Sequence, residues 1–388
     1  MQINFDEPID RWESDSGKWH VYGEDVIPMW VADMDFASPR AVVQALQERA
    51  AHGVFGYPCS ASSEPKYTME MRSVIVERME RLYGWQVQPE EIVFLPGVVT
   101  AFNLACHTLA APGGGVLVQP PVYHPMLHAP GHAGMQRQEA PLTRCPDGSY
   151  EIDFDEFEAA ISDQTRLFLL CNPHNPVGRV FRRDELLRMA EICLRKGVAI
   201  CSDEIHCDLL FEGHRHIPIA SLDKEISRNT VTLMAPTKTF NIAGLQYSFA
   251  IVQDKELRQK LEQAKHGLVM WVNLVGMTAA LAAYRDGQEW LDQVLGYLEA
   301  NRDFLFDYVQ ANLPQLKMFR PEGTYLAWMD CRNSGIQGNP YEYFLKEAGV
   351  ALNDGVTFGK GGDGFVRLNF ACSREVLREA LERMKTAL

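Results

Sequence analysis

Short apolar runs alternate along this chain with stretches of helical period, and that alternation predicts an α/β fold. Ile92–Leu95 reads as a strand. Phe102, Ala105, Cys106 and Leu109 then fall at i, i+3, i+4 and i+7, so a helix follows. Residues 115–119 and 167–171 read as further strands. Leu186, Met189, Ala190 and Cys193 mark a helix, with Asp184 expected as its N-cap and Gly197 as its stop. Residues 198–202, 231–235 and 247–252 complete the set. These runs are continuous rather than alternating. That pattern suits strands covered on both faces, which βαβ connections make mostly parallel. Residues 46–285 are therefore expected to form one large domain.

The C-terminal part changes character. Leu291, Val294, Leu295 and Leu298 begin a long amphipathic helix. "TYLAWMDC" (324–331) and "GFVRLNF" (364–370) read as half-exposed strands, and a helix starting near Ser373 closes the chain. This α+β pattern predicts a smaller domain over 286–388. The weakly periodic residues 1–45 are expected to pack with it.

Composition narrows the function classes. The chain has 388 residues, 46% hydrophobic and 23% charged, with a net charge of −14. A negative surface argues against nucleic-acid and anionic-membrane partners. Nine cysteines are present without a CxxC pair, and Cys106 and Cys193 fall within apolar helical patterns, as expected of reduced thiols in a cytoplasmic protein. The first twenty residues carry no apolar core of signal-peptide type. No apolar run approaches the roughly 20 residues that span a bilayer.

Several motifs can be set aside. "PGGG" at 112–115 lacks the Gly-Lys-Ser/Thr of a phosphate loop. "GKGGDG" at 359–364 leads into a strand and not into a helix, so the dinucleotide mechanism fails. His206, Cys207, His214 and His216 have no metal-site spacing, and no metal is expected.

The informative residues stand at strand ends, where ligands bind in parallel α/β sheets. "LLCNPHNPVG" (169–178) ends in asparagines and prolines, "AICSDEIHCD" (199–208) presents Asp203, and "TLMAPTKTFN" (232–241) presents Lys238. A lysine there invites a depressed pKa and Schiff-base chemistry with an aldehyde. Pyridoxal phosphate is such an aldehyde, and it needs a carboxylate beside its ring nitrogen, for which Asp203 is the candidate. Asn175 can donate to the ring hydroxyl, and Tyr123 in "PPVYHP" can cover the ring. "LPGVVTAF" (95–102) offers a helix N-terminus for the phosphate.

These stretches, with "ADMDF" (32–36), "HGVFGYP" (52–58), "KTFNIAGL" (238–245) and "FVRLNFACSR" (365–374), resemble the fold-type I pyridoxal-phosphate enzymes of the aminotransferase superfamily. More narrowly, they are similar to the MalY/PatB group of cystathionine β-lyases. The resemblance covers nearly the whole chain. It implies a fold-type I transferase fold, a sulfur amino acid as substrate, and a homodimer with shared active sites.

The resemblance also implies roles, residue by residue. Lys238 would carry the cofactor and shuttle the α-proton. Asp203 would pair with the ring nitrogen, Asn175 would contact the ring hydroxyl beside His206, and Tyr123 would stack on the ring. Gly97, Val98, Val99 and Thr237 would hold the phosphate. Arg367 would take the substrate carboxylate as a bidentate fork, with Asn175 near it. Tyr57 would reach the phosphate of the partner subunit. Two positions depart from the superfamily pattern. Ala235 stands where many members have serine, and Gln246 where many have an arginine for the phosphate.

The implied reaction is α,β-elimination from L-cystathionine or another cysteine S-conjugate, giving a thiol, pyruvate and ammonia. The same lysine, aspartate and arginine also suit an aminotransferase for aromatic or other apolar amino acids. A regulatory or binding protein on this scaffold is the non-enzymatic alternative.

Overall fold

The computed structural model describes residues 2–58, 66–109, 111, 113–269 and 271–388. A seven-stranded sheet forms its centre. In chain order the strands are β1 (Ile92–Leu95), β2 (Gly115–Val118), β3 (Gln136–Glu139), β4 (Thr165–Cys171), β5 (Ala199–Asp203), β6 (Thr230–Met234) and β7 (Ser248–Ile251). Their spatial order is β1-β7-β6-β5-β4-β2-β3. Every pairing is parallel except the two that β7 makes, with β1 and with β6. Residues of β2, β5 and β6 are nearly all buried, as the continuous apolar runs require. Cys171 is level with Asp203, and Asp203 with Leu233, so three strands finish at one edge of the sheet.

Helices cover both faces. The helix α1 (Arg40–His52) is followed by α2 (Lys66–Tyr83) and α3 (Val98–Thr108). Next come α4 (His124–His132), α5 (Arg183–Lys196) and α6 (Lys255–Lys265). Then α7 (Leu274–Asp286) leads into the 25-residue α8 (Gln288–Asn312), and α9 (Arg374–Ala387) ends the chain. On α8 the buried residues Trp290, Leu291, Val294, Leu298, Leu305 and Val309 form one stripe. Each such fully buried leucine contributes roughly 1.5–3 kcal/mol relative to exposure. Ser373 caps α9 by accepting from the Val376 amide.

The smaller sheet is antiparallel, with β8 (Lys317–Met318), β9 (Leu326–Asp330), β10 (Asn353–Asp354) and β11 (Phe365–Asn369) in the order β8-β9-β11-β10. Residues 27–36 bind this part of the chain. Ile27 and Pro28 pair with Val350 and Ala351, the Asn369 amide donates to the Val31 and Asp33 carbonyls, and Asp35 N–H donates to Ala371.

Some expectations need correction. β9 and β11 are fully buried rather than half-exposed. Met329, Val366 and Leu368 pack in one apolar cluster with residues of α8 and α9, while Trp328 and Phe365 stack 5.0 Å apart on the other face. Asp184 is not the N-cap of α5 but lies in its first turn. Arg182 is the cap, because Glu185 reaches back to its amide. Gly197 does close that helix in the left-handed conformation, φ 68°. The edge strand β3 was not expected: its sequence, QRQE, is polar and half exposed, and it lacks any apolar run.

Candidate active site

One cavity of about 310 Å³ lies at the carboxyl ends of the strands. Nine of the eleven expected site residues line it: Gly97, Val98, Val99, Tyr123, Asn175, Asp203, His206, Thr237 and Lys238. Arg367 adjoins them, because its Nη1 donates to Asn175 Oδ1 at 3.0 Å. Tyr57 stands apart. It is 83% exposed and packs edge-on against Trp271, ring centroids 5.2 Å apart.

Lys238 sits in a one-turn helix, Pro236–Thr239, directly after β6. Its Nζ donates to the Ala32 carbonyl at 2.6 Å. Burial pulls the amine down to about 8, against the opposing pull of the Asp33 carboxylate. Asp203 is the last residue of β5, and its Oδ1 accepts from the Ile205 amide at 3.1 Å. Burial raises this carboxyl to about 7. His206 is pushed down to about 3 by burial, then by the nearby charges of Lys238 and Arg367, so its ring stays neutral. Its Nδ1 is buried without a hydrogen-bond partner.

The mouth of the cavity carries the N-terminus of α3. Gly97 has φ 124°, a region open only to glycine, so the chain turns from β1 into the helix there. No side chain caps this end, which leaves the first amides, at Val98, Val99 and Thr100, directed at an incoming anion. Ser248 holds the turn, accepting from Gly97 N–H at 3.0 Å and donating to the Leu95 carbonyl. Ala235 is fully buried with no hydroxyl to offer, and Gln246 lines the cavity at φ 48°.

Arg367 is wholly buried on β11, with burial lowering it to about 10, so it remains a cation at neutral pH. Besides Asn175 it bonds the Trp30 carbonyl at 2.8 Å and the Asn353 side chain. Its Nε is without a partner.

Sequence reasoning missed several of these groups. Ala32 serves through its carbonyl, which also accepts from Tyr325 Oη at 2.8 Å, and a backbone atom leaves no side-chain signature. Ser248 and Asn353 are ordinary letters until pairing places them. Asn241 is one letter of "KTFNIAGL" until the fold gives it partners. Its side chain bonds Met34 and Phe36 and so ties residues 34–36 to the lysine turn.

The groups fit pyridoxal phosphate. A poised amine suits its aldehyde, the buried carboxyl of Asp203 its ring nitrogen, and the open helix end its phosphate. The seven-stranded sheet with a lysine after the sixth strand defines a fold-type I pyridoxal-phosphate enzyme. The chain belongs to the class I and II aminotransferase family, whose profile matches residues 24–384. It is 42% identical to the cystathionine β-lyase PatB of Bacillus subtilis over the full length of both chains. Cystalysin from Treponema denticola, whose crystal structure contains pyridoxal 5′-phosphate, superposes with a TM-score of 0.93 at 32% identity, covering 100% of this chain and 99% of that one. The pyridoxal-phosphate-bound C–S lyase of Staphylococcus hominis does so with a TM-score of 0.91 at 33% identity, covering 99% and 98%.

Proposed function

We propose that the protein is a pyridoxal-phosphate-dependent carbon–sulfur β-lyase that cleaves L-cystathionine or other cysteine S-conjugates to a thiol, pyruvate and ammonia. The observation that carries this reading is one buried lysine amine in the same cavity as Asp203, next to Arg367, in a chain aligned end to end with a cystathionine β-lyase.

Each residue has a task. Arg367 binds the substrate α-carboxylate, and Asn175 orients the guanidinium. Nζ of Lys238 takes the proton from the α-carbon. When bound, the cofactor supplies an electron sink for the pair released there. Asp203 would supply the carboxylate that pairs with the cofactor's ring nitrogen, and Tyr123 would cover the ring. The β-carbon–sulfur bond then breaks, with its electrons leaving on sulfur. Water completes the balance as pyruvate and ammonia form. Thr237 and the amides of Val98 and Val99 would hold the phosphate.

The pH dependence of cofactor capture follows from the lysine. Only a neutral amine attacks an aldehyde. With a pKa of about 8, Lys238 is neutral in roughly a tenth of molecules at pH 7, against about one in a few thousand for an ordinary lysine. The rate at which cofactor-free protein takes up pyridoxal phosphate should therefore rise with pH and level off above about 8. Stopped-flow absorbance measures it. A midpoint near 10.5, the ordinary lysine value, would show that burial does not tune this amine.

We also infer a homodimer with shared sites. Exposed apolar side chains support it: Val54, Phe55, Tyr57, Met69 and Leu268 are all more than half exposed. Tyr57 would then serve the partner's phosphate. Light scattering that found the active enzyme at the 43.8 kDa of one chain would refute this. Division into a large domain, 46–285, and a small one, 1–45 with 286–388, is supported by the pairing of Ile27–Pro28 with Val350–Ala351. Limited proteolysis that cut first inside 46–285 would count against it. A cytoplasmic location is supported by eight free cysteines among the described residues, seven of them buried. Recovery of the native protein with intramolecular disulfides would contradict that.

The test of function is a product balance. With L-cystathionine, pyruvate and free thiol should appear one for one without any keto acid. Product that appears only when a keto acid is added would make the enzyme an aminotransferase instead.

A further inference from the structure

Two residues of the strand-end motifs have no task in this chemistry: Thr239, directly after Lys238, and Asp208, two beyond His206. The turn that bears Lys238 spans four residues, too few to be stable through its own backbone bonds. Its position depends on what holds it. On one side Asn241 binds the 34–36 segment. On the other, Thr239 Oγ1 donates to Asp208 Oδ2 at 3.0 Å, and Arg78 Nη2 of α2 donates to Asp208 Oδ1 at 2.5 Å. The Arg78 guanidinium lies 4.7 Å over the Tyr284 ring of α7. Thr239 is fully buried, and the side chains of Arg78 and Asp208 are each 5% exposed.

Strand pairing sets Asp203 beside Leu233 but says nothing of the loops beyond. Asp208 belongs to the loop after β5 and Thr239 to the turn after β6. Their bond joins the segment that presents Asp203 to the segment that presents Lys238. The pair with Arg78 makes the Asp208 anchor stiff, because neither buried charge can be left alone without a large penalty.

We propose that Thr239, Asp208 and Arg78 form a positioning relay that sets where the Lys238 amine stands relative to Asp203, and so how fast the lysine moves the α-proton. The proposal rests on the reading of Lys238 as the cofactor-bearing base. Charges acting on this lysine come from Asp33, Arg367 and Asp203, on three separate segments, and none belongs to the relay.

Thr239→Val isolates the tether, since it swaps a hydroxyl for a methyl and leaves the Arg78–Asp208 pair whole. In the holoenzyme, kcat should fall about tenfold while KM stays within about twofold, as expected for a small misplacement of a reacting group. The pH midpoint of the bound cofactor's absorbance band should also move. Thr239→Ser should restore both. If Thr239→Val does not fold, Thr239→Ala carries the same readouts. A folded variant with wild-type kcat and midpoint overturns the relay, even if its Tm drops. A wild-type protein with no cofactor band overturns the underlying reading and the relay with it.

Discussion

Lys238→Ala will lower kcat for β-elimination by about 10⁴-fold or more, because the variant loses both the covalent anchor and the base at the α-carbon. The fold should survive. The Lys238 amine makes one hydrogen bond, to the Ala32 carbonyl, and it is held in a site where burial disfavours its charge. Far-UV circular dichroism and Tm should stay close to wild type. Cofactor should bind reversibly and wash out on gel filtration, while the wild-type enzyme keeps it. Near-normal turnover in this variant would remove Lys238 from the mechanism.

Asp203→Asn is the second large effect. Asparagine is nearly isosteric and leaves the oxygen that accepts from Ile205, so packing should not change. It cannot supply the negative charge that keeps a ring nitrogen protonated, and the electron sink fails. Losing one preorganised electrostatic partner of this kind costs roughly 10²–10³ in kcat, with a smaller change in KM. A variant within a few-fold of wild-type kcat would mean that another group partners the ring nitrogen. The two variants together separate anchor from sink: Lys238→Ala should release cofactor, and Asp203→Asn should retain it.

The residues most legible in the sequence are those that violate a local rule. Asp203 and Lys238 interrupt continuous apolar runs at the point where a strand should end, and burial at those positions demands chemistry or pairing. The central parallel strands are legible for the opposite reason, as unbroken apolar runs that a sheet covered on both faces requires. β11 reads as half-exposed because Arg367 and Asn369 look like outward-facing polar residues, and β9 because it ends in Asp330. In fact Arg367 points to the active site and Asn369 binds the 31–33 segment. Long-range pairing made them buried, and nothing within the strand reports it. β3 was invisible because an edge strand needs no apolar face. Asp184 lies two residues inside the true cap, Arg182, because Glu185 reaches back to the Arg182 amide. The Ala32 carbonyl had no signal at all, since which backbone oxygen meets an amine 206 positions away is decided only by the fold.

The central claim is that Lys238 carries the cofactor, and borohydride tests it most directly. Reduction of the yellow holoenzyme followed by peptide mapping should place one pyridoxyl group per chain on the peptide containing "APTKTFNIAGL", at Lys238. A label on any other lysine, or a protein that takes up no cofactor to reduce, would contradict it.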